Sequence, residues 1–190
     1  MRIGVCVSGR GPNLRNLVER GFDVVAVATN RPSCGGAAFA RERGIALGEL
    51  SQRSFASVDE RDAAMRDFFL AHGVDLIVDA GYDRVHTAPL LDAFRGRIIN
   101  VHPSLLPAFA GGMDAVERAL AAGVGETGAT VHVVTSDLDA GPIVAQERVP
   151  ITPGDTLDTL LERVHAAEYR LLPAAIEIME GRLAHSAAVG

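Results

Sequence analysis

The stretch Arg2-Ile3-Gly4-Val5-Cys6-Val7-Ser8-Gly9-Arg10-Gly11-Pro12-Asn13-Leu14 starts as a short apolar run, passes two glycines and enters a helical pattern. A strand buried on both faces of a parallel sheet reads as such a run. Small residues between strand and helix let backbone N–H groups approach an anion at the positive helix end. Leu14 stands where a dinucleotide fingerprint needs Gly or Ala, so nicotinamide and flavin binding are disfavoured. Taken alone, the loop is equally a tight strand-to-helix turn with no ligand.

Working outward, β-branched runs alternate with helical patterns along the rest of the chain. This predicts an α/β fold: an open, mostly parallel twisted sheet with helices on both faces. Strands are expected at Arg2–Ser8, Asp23–Thr29, Asp75–Ala80, Arg97–Val101, Thr130–Val134 and Ile143–Val149. Helices are expected at Asn13–Glu19, Gly36–Arg43, Val58–Ala71, Met113–Ala122 and Thr156–Met179, the last four closed by Gly44, Gly73, Gly123 and Gly181. Ser57 and Glu60 have capping-box spacing, and Asp155 offers an N-cap oxygen to the last helix, which Pro173 should kink. Ala184–Gly190 reads as a loosely held tail. With no repeat or linker, one domain over residues 1–190 is expected.

All 18 basic residues are Arg, against 24 acidic ones, for a net charge of −6. The absence of Lys excludes lysine Schiff-base chemistry and a Walker-type phosphate loop. Scattered Arg on an acidic chain disfavours nucleic-acid binding, which needs a basic face. Cys6 and Cys34 are too few for a disulfide framework, and Cys6 reads as core packing. No apolar run approaches membrane-spanning length, so no membrane association and a cytoplasmic setting are expected.

Ile98-Ile99-Asn100-Val101-His102 ends at Pro103, and strand alternation turns Asn100 and His102 to one face at the carboxyl end. Ligands of open α/β sheets bind beyond that edge. An amide that can hold an oxyanion and an imidazole that can move a proton suit direct group transfer better than a covalent intermediate. Asp137-Leu138-Asp139-Ala140-Gly141-Pro142 forms a turn-rich loop expected on the same edge, where a carboxylate would orient His102, although a solvated turn reads the same way. His102, His132 and Asp139 have no recognised metal-ligand spacing.

Together with Ala80-Gly81-Tyr82-Asp83-Arg84, Asn100-Val101-His102-Pro103-Ser104-Leu105-Leu106-Pro107, Thr127-Gly128-Ala129-Thr130-Val131-His132-Val133-Val134-Thr135 and Leu138-Asp139-Ala140-Gly141-Pro142, the chain resembles the 10-formyltetrahydrofolate-dependent formyltransferases over nearly its whole length. The resemblance implies a Rossmann-like formyltransferase fold with a phosphate-binding half at about 1–95 and a folate-binding, catalytic half at about 96–190. It implies that Asn100 holds the oxyanion, His102 assists by charge and proton movement, and Asp139 supports His102 and takes the proton of the attacking amine. Gly11, Pro12 and Asn13, with Arg61 more loosely aligned, would meet a substrate phosphate. Glu168 would meet the substrate's amine end. Arg84, Val85, His86 and the loop Ser136, Asp137, Leu138 and Asp139 would meet the folate. The cosubstrate would be 10-formyltetrahydrofolate, with no metal, and the acceptor glycinamide ribonucleotide of purine synthesis. Another amine, such as an amino sugar nucleotide, or simple hydrolysis of the formyl folate, is the alternative. Partners would be small molecules alone, with the chain a monomer or homodimer. The sequence departs from the family pattern at Pro12, where Ser or Thr is usual, at Asp83, where an apolar residue is usual, and at Gly112-Met113-Asp114-Ala115, which lacks the usual His.

Overall fold

The computed structural model describes residues 1–189, with side chains described through His185. In chain order the elements are β1 (Ile3–Val7), α1 (Pro12–Glu19), β2 (Val24–Thr29), α2 (Gly35–Glu42), β3 (Ala46–Glu49), a 3-10 turn (Gln52–Ser54), α3 (Val58–Ala71), β4 (Leu76–Asp79), α4 (Ala88–Ala93), β5 (Ile98–His102), α5 (Ala115–Ala121), β6 (Glu126–Val133), β7 (Ile143–Pro150) and α6 (Leu157–Val189). The strands form one open sheet in the order β3-β2-β1-β4-β5-β6-β7. The pairs β1–β2, β1–β4 and β2–β3 are parallel, and β6–β7 is antiparallel. The α/β class with a mostly parallel sheet therefore holds.

The chain divides into two compact units, Met1–Ile99 with Val134–Ser136, and Asn100–Val133 with the residues from Asp137 onward. In the first unit every residue of β1 is buried, as the apolar run requires. One face of its sheet packs Cys6, Ala26, Ala28 and Ile77 with Met65 and Phe69 of α3 and with Leu90, Phe94 and Ile98. Gly4 makes this packing possible, because a Cβ there would stand 2.6 Å from the Phe69 ring. Ser57 caps α3 by accepting from the Glu60 N–H, and the Glu60 carboxylate accepts from the Ala56 N–H. In the second unit α6 packs on β6 and β7 and against α5.

Several expected elements differ. β3 lacks the β-branched pattern of a strand and exists because Ala46–Glu49 pairs in register with Ala26–Thr29. The six-residue α4 is too short for a periodic signal. β6 begins at Glu126 rather than Thr130, because Glu126 to Ala129 pair with Glu147 to Pro150. α5 begins at Ala115 rather than Met113, since Gly111 and Gly112 have φ of 71° and 83° and keep the chain out of a helix. The cap of α6 is Thr156, whose Oγ1 accepts from the Thr159 N–H. Asp155 instead binds Thr152 and Arg163. Gly181 does not end α6, which continues to Val189; Gly190 of the expected tail lies outside the described residues. A single helical glycine costs only about 1 kcal/mol relative to Ala, and strong helix formers surround this one.

Candidate active site

The second unit holds a compact polar cluster built from β5, β6 and the loop after β6. Alternation along β5 sets Asn100 and His102 on one face, and His102 is 4% exposed. His102 Nε2 lies 3.1 Å from the Phe109 carbonyl oxygen. A carbonyl only accepts, so Nε2 carries the hydrogen, and Nδ1 faces Asp139 Oδ2 at 3.5 Å. Asp139 has φ of 52°, a left-handed conformation that Asp tolerates better than most residues. Its Oδ2 accepts from the Gly111 N–H at 2.8 Å.

His132 completes the cluster. Its Nδ1 donates to the Val133 carbonyl at 3.1 Å, and Nε2 lies 3.1 Å from Asn100 Nδ2 and 3.4 Å from Asp139 Oδ1. Nε2 serves only one of these partners at a time. Without a proton it accepts from the Asn100 amide; with one it donates to Asp139. The Asp139 carboxyl is held below the usual carboxylate range, first by the hydrogen bond offered by His132, then, against the effect of burial, by the Gly111 N–H and the charges of His102 and His132. That first cause applies to the protonated ring, whereas the shorter contact to Asn100 belongs to the neutral one. The two contacts of Nε2 are thus alternatives, while the Asp139 carboxylate keeps the Gly111 N–H with either.

The segment after β5 is fixed from two sides. Thr130 Oγ1 donates to the Ser104 carbonyl at 2.6 Å and accepts from the Leu106 N–H at 3.0 Å. Arg118 Nη2 donates to the carbonyls of Phe109 at 2.8 Å and of Gly111. These bonds aim the Phe109 carbonyl at His102 and the Gly111 N–H at Asp139. Sequence reasoning weighed His132 only as a metal ligand and passed over Arg118. The available signal was strand alternation, which puts His132 on the face of Thr130. Glu168, expected at the substrate amine, is buried on α6. Ser136, Asp137 and Leu138 are exposed.

The remaining expected residues lie in the first unit. Gly11 has φ of 71° and caps α1; a Cβ there would meet the Gly36 Cα at 2.8 Å, so only glycine fits. No side chain caps α1, and Pro12 occupies its first turn. An uncapped helix start of this kind suits an anion. Asp83 is no apolar contact: it accepts from Asn30 Nδ2 at 2.8 Å, pairs with Arg31, and through its N–H bonds Ser8 Oγ. Burial pushes its carboxyl up, but Asn30, Ser8, Arg31 and Arg84 outweigh this and hold it below the ordinary value. Arg84 and Val85 are exposed, whereas His86 is turned inward, with Nε2 3.0 Å from both Asp79 oxygens.

Arg61, expected near a substrate phosphate, is 1% exposed and already committed. Its Nε and Nη2 bind Asp62 Oδ1 at 2.8 and 2.6 Å, and Nη2 also donates to the Val85 carbonyl at 3.0 Å. Nη1 has only a long 3.4 Å contact to Gln52 Oε1, so these buried bonds give Arg61 a supporting role in the loop and leave only Nη1 for a phosphate.

Comparison with known proteins agrees with this architecture. A phosphoribosylglycinamide formyltransferase of Mycobacterium tuberculosis is 42% identical over 180 residues, 92% of this chain and 83% of the relative. The trifunctional purine biosynthetic protein adenosine-3 of Drosophila melanogaster is 40% identical over 94% of this chain, which spans only 14% of that protein's length. The crystal structure of glycinamide ribonucleotide transformylase 1 from Symbiobacterium toebii superposes with a TM-score of 0.90 at 41% identity, covering 96% of this chain and 89% of that one. The formyl transferase family model matches residues 1–176. With the sheet order and this match in agreement, the chain belongs to the formyl transferase family.

Proposed function

We propose that the chain transfers the formyl group of 10-formyltetrahydrofolate to the primary amine of glycinamide ribonucleotide. The observation that carries this reading is the Asn100, His102, His132 and Asp139 cluster, which provides an amide, two imidazoles and an ionised carboxylate within hydrogen-bonding reach. The names of the full-length relatives support the acceptor.

In the reaction the amine nitrogen attacks the formyl carbon, and the carbonyl electrons move to oxygen. The Asn100 amide donates to that oxyanion, a type of contact typically worth about 10²–10³-fold in kcat. When His132 carries a proton, the ring binds Asp139 and leaves both Nδ2 hydrogens of Asn100 for this task. The amine loses a proton to the Asp139–His102 pair, the bond from carbon to folate N10 breaks, and N10 receives a proton. No net proton is consumed. Gly11, Pro12 and Asn13 offer the anion site for the acceptor's phosphate. Glu168 is our candidate for the amine end. In the first unit Arg84, Val85 and the main chain at His86 are our candidates for the folate, and Ser136 with them; in the second unit the candidates are Asp137 and Leu138.

Pro12 brings neither N–H nor hydroxyl to the phosphate loop, which favours weakened phosphate binding or a different acceptor. Incubation with 10-formyltetrahydrofolate carrying a 13C formyl group and glycinamide ribonucleotide tests the reading. Mass spectrometry should find the label on the amine; label released only as formate would contradict transfer.

A further inference from the structure

A second polar cluster lies wholly within the first unit. Cys6 on β1 and Asp79 on β4 are register partners in the parallel pair, so their side chains share a face, and the segment after β4 returns His86 to them. All three are buried. The Cys6 sulfur, an Asp79 oxygen and a His86 ring nitrogen lie within 4.8 Å of one another. A thiol, a carboxylate and an imidazole converging inside an apolar core need a reason, since the core around them is built of Ala26, Ala28, Met65, Phe69 and Ile77.

Two further observations point to an occupant. Among the described residues, the Tyr82 hydroxyl and His86 Nδ1 are buried without a hydrogen-bond partner. Tyr82 stacks on the His86 ring with centroids 5.2 Å apart. Buried orphan atoms of this kind are rare, and a bound ion is one of the explanations they call for. The orphan nitrogen also has a purpose. A histidine that ligates a metal through one nitrogen characteristically turns the other N–H to a carboxylate. Here Nδ1 looks at Asp62 Oδ2 from 4.0 Å, and Asp62 is itself fixed by Arg61 and by the Thr87 N–H at 2.5 Å.

We propose that Cys6, Asp79 and His86 form a buried binding site for a thiophilic divalent cation, Zn2+, with Asp62 supporting His86 and the Tyr82 hydroxyl turned to the same site. Zinc accepts this mixed sulfur, nitrogen and oxygen set, with bonds of about 2.0–2.3 Å, which place ligand atoms roughly 3.3–3.8 Å apart. His86 Nε2 now lies 3.0 Å from both Asp79 oxygens, so an ion entering between them would replace that hydrogen bond and needs side-chain shifts of about an ångström or less. A thiolate and a carboxylate balance a dication, so the filled site adds no net charge to the core. The ion would tie β1, β4 and the segment from Tyr82 to Thr87 together. None of its ligands belongs to the Asn100, His102, His132 and Asp139 cluster, and the test below reads metal binding rather than turnover, so its failure and the failure of the proposed reaction are distinguishable.

The test uses tag-free full-length protein treated with a chelator and titrated with Co2+, the spectroscopic stand-in for Zn2+. A sulfur-to-cobalt charge-transfer band saturating at one ion per chain is expected, retained in Cys34→Ala and lost in Cys6→Ser. Asp79→Asn and His86→Gln should weaken binding at least about tenfold. Zn2+ at about a hundredfold excess over its Kd should raise the wild-type unfolding midpoint by roughly 5–10 °C. A wild-type protein with no charge-transfer band and no Zn2+-dependent rise overturns the proposal, as does a band that vanishes in Cys34→Ala. These wild-type and Cys34→Ala readings decide the matter even if the buried-site variants fail to fold.

Discussion

Nδ1 of His102 stands 3.5 Å from Oδ2 of Asp139 while Nε2 of the same ring is held 3.1 Å from the Phe109 carbonyl. One imidazole is thus anchored by main chain on one side and faced by an ionised carboxylate on the other. The Phe109 carbonyl fixes which nitrogen is free to exchange a proton, and Arg118 fixes that carbonyl. His102→Ala should lower kcat about 10²–10⁴-fold with little change in KM, the expectation for a proton-handling group. Steady-state kinetics with both substrates varied checks this; unchanged kcat would remove His102 from the chemistry.

Asp139 gives the site a pH signature in stability. Its folded-state carboxyl lies below the ordinary value of about 3.9. A depressed carboxyl contributes stability that is fully present above the unfolded-state value and is lost as pH falls through the folded one. The difference in unfolding midpoint between wild type and Asp139→Asn should therefore shrink on acidification below about pH 4. A difference that stays constant through that range would show that the carboxylate has no special stabilisation.

Arg61 separates support from substrate contact. Arg61→Met leaves Asp62 buried without its cation and should cost about 3–5 kcal/mol in denaturant unfolding. At a temperature where the variant is folded, KM for the phosphorylated amine should be unchanged. A large rise in that KM with intact stability would return Arg61 to the phosphate.

Gly11 tests the anion loop. Gly11→Ala places a side chain at φ of 71° and against Gly36, and should cost at least about 1–2 kcal/mol. It should also raise KM for the phosphorylated acceptor while leaving KM for the folate alone. Equal effects on both substrates would argue against a phosphate role for this turn.

Asn100 and His102 were legible in the sequence because strand alternation and a following proline locate them without tertiary information. The parallel sheet was legible for a similar reason: β1 is a continuous apolar run, and β2 and β4 are apolar up to their last residues, Thr29 and Asp79. His132 was not, since its partner Asn100 lies 32 positions away and only sheet formation brings the two rings and amide together. Arg61 was set near the phosphate only by a loose resemblance; its burial depends on Asp62 and on the Val85 carbonyl, a long-range contact no local pattern reports. β3 escaped because pairing with β2, rather than its own composition, makes Ala46–Glu49 a strand. Asp83 stood out in the sequence as a departure, and the structure supplies its reason in Asn30, Arg31 and Ser8.

The most direct measurement follows tetrahydrofolate formation by absorbance from 10-formyltetrahydrofolate, with and without glycinamide ribonucleotide, using the wild-type protein. Turnover that appears only when the amine is present is the predicted result. Folate release at the same rate without the amine, or none in either condition, would contradict amine-directed formyl transfer by the Asn100, His102 and Asp139 cluster.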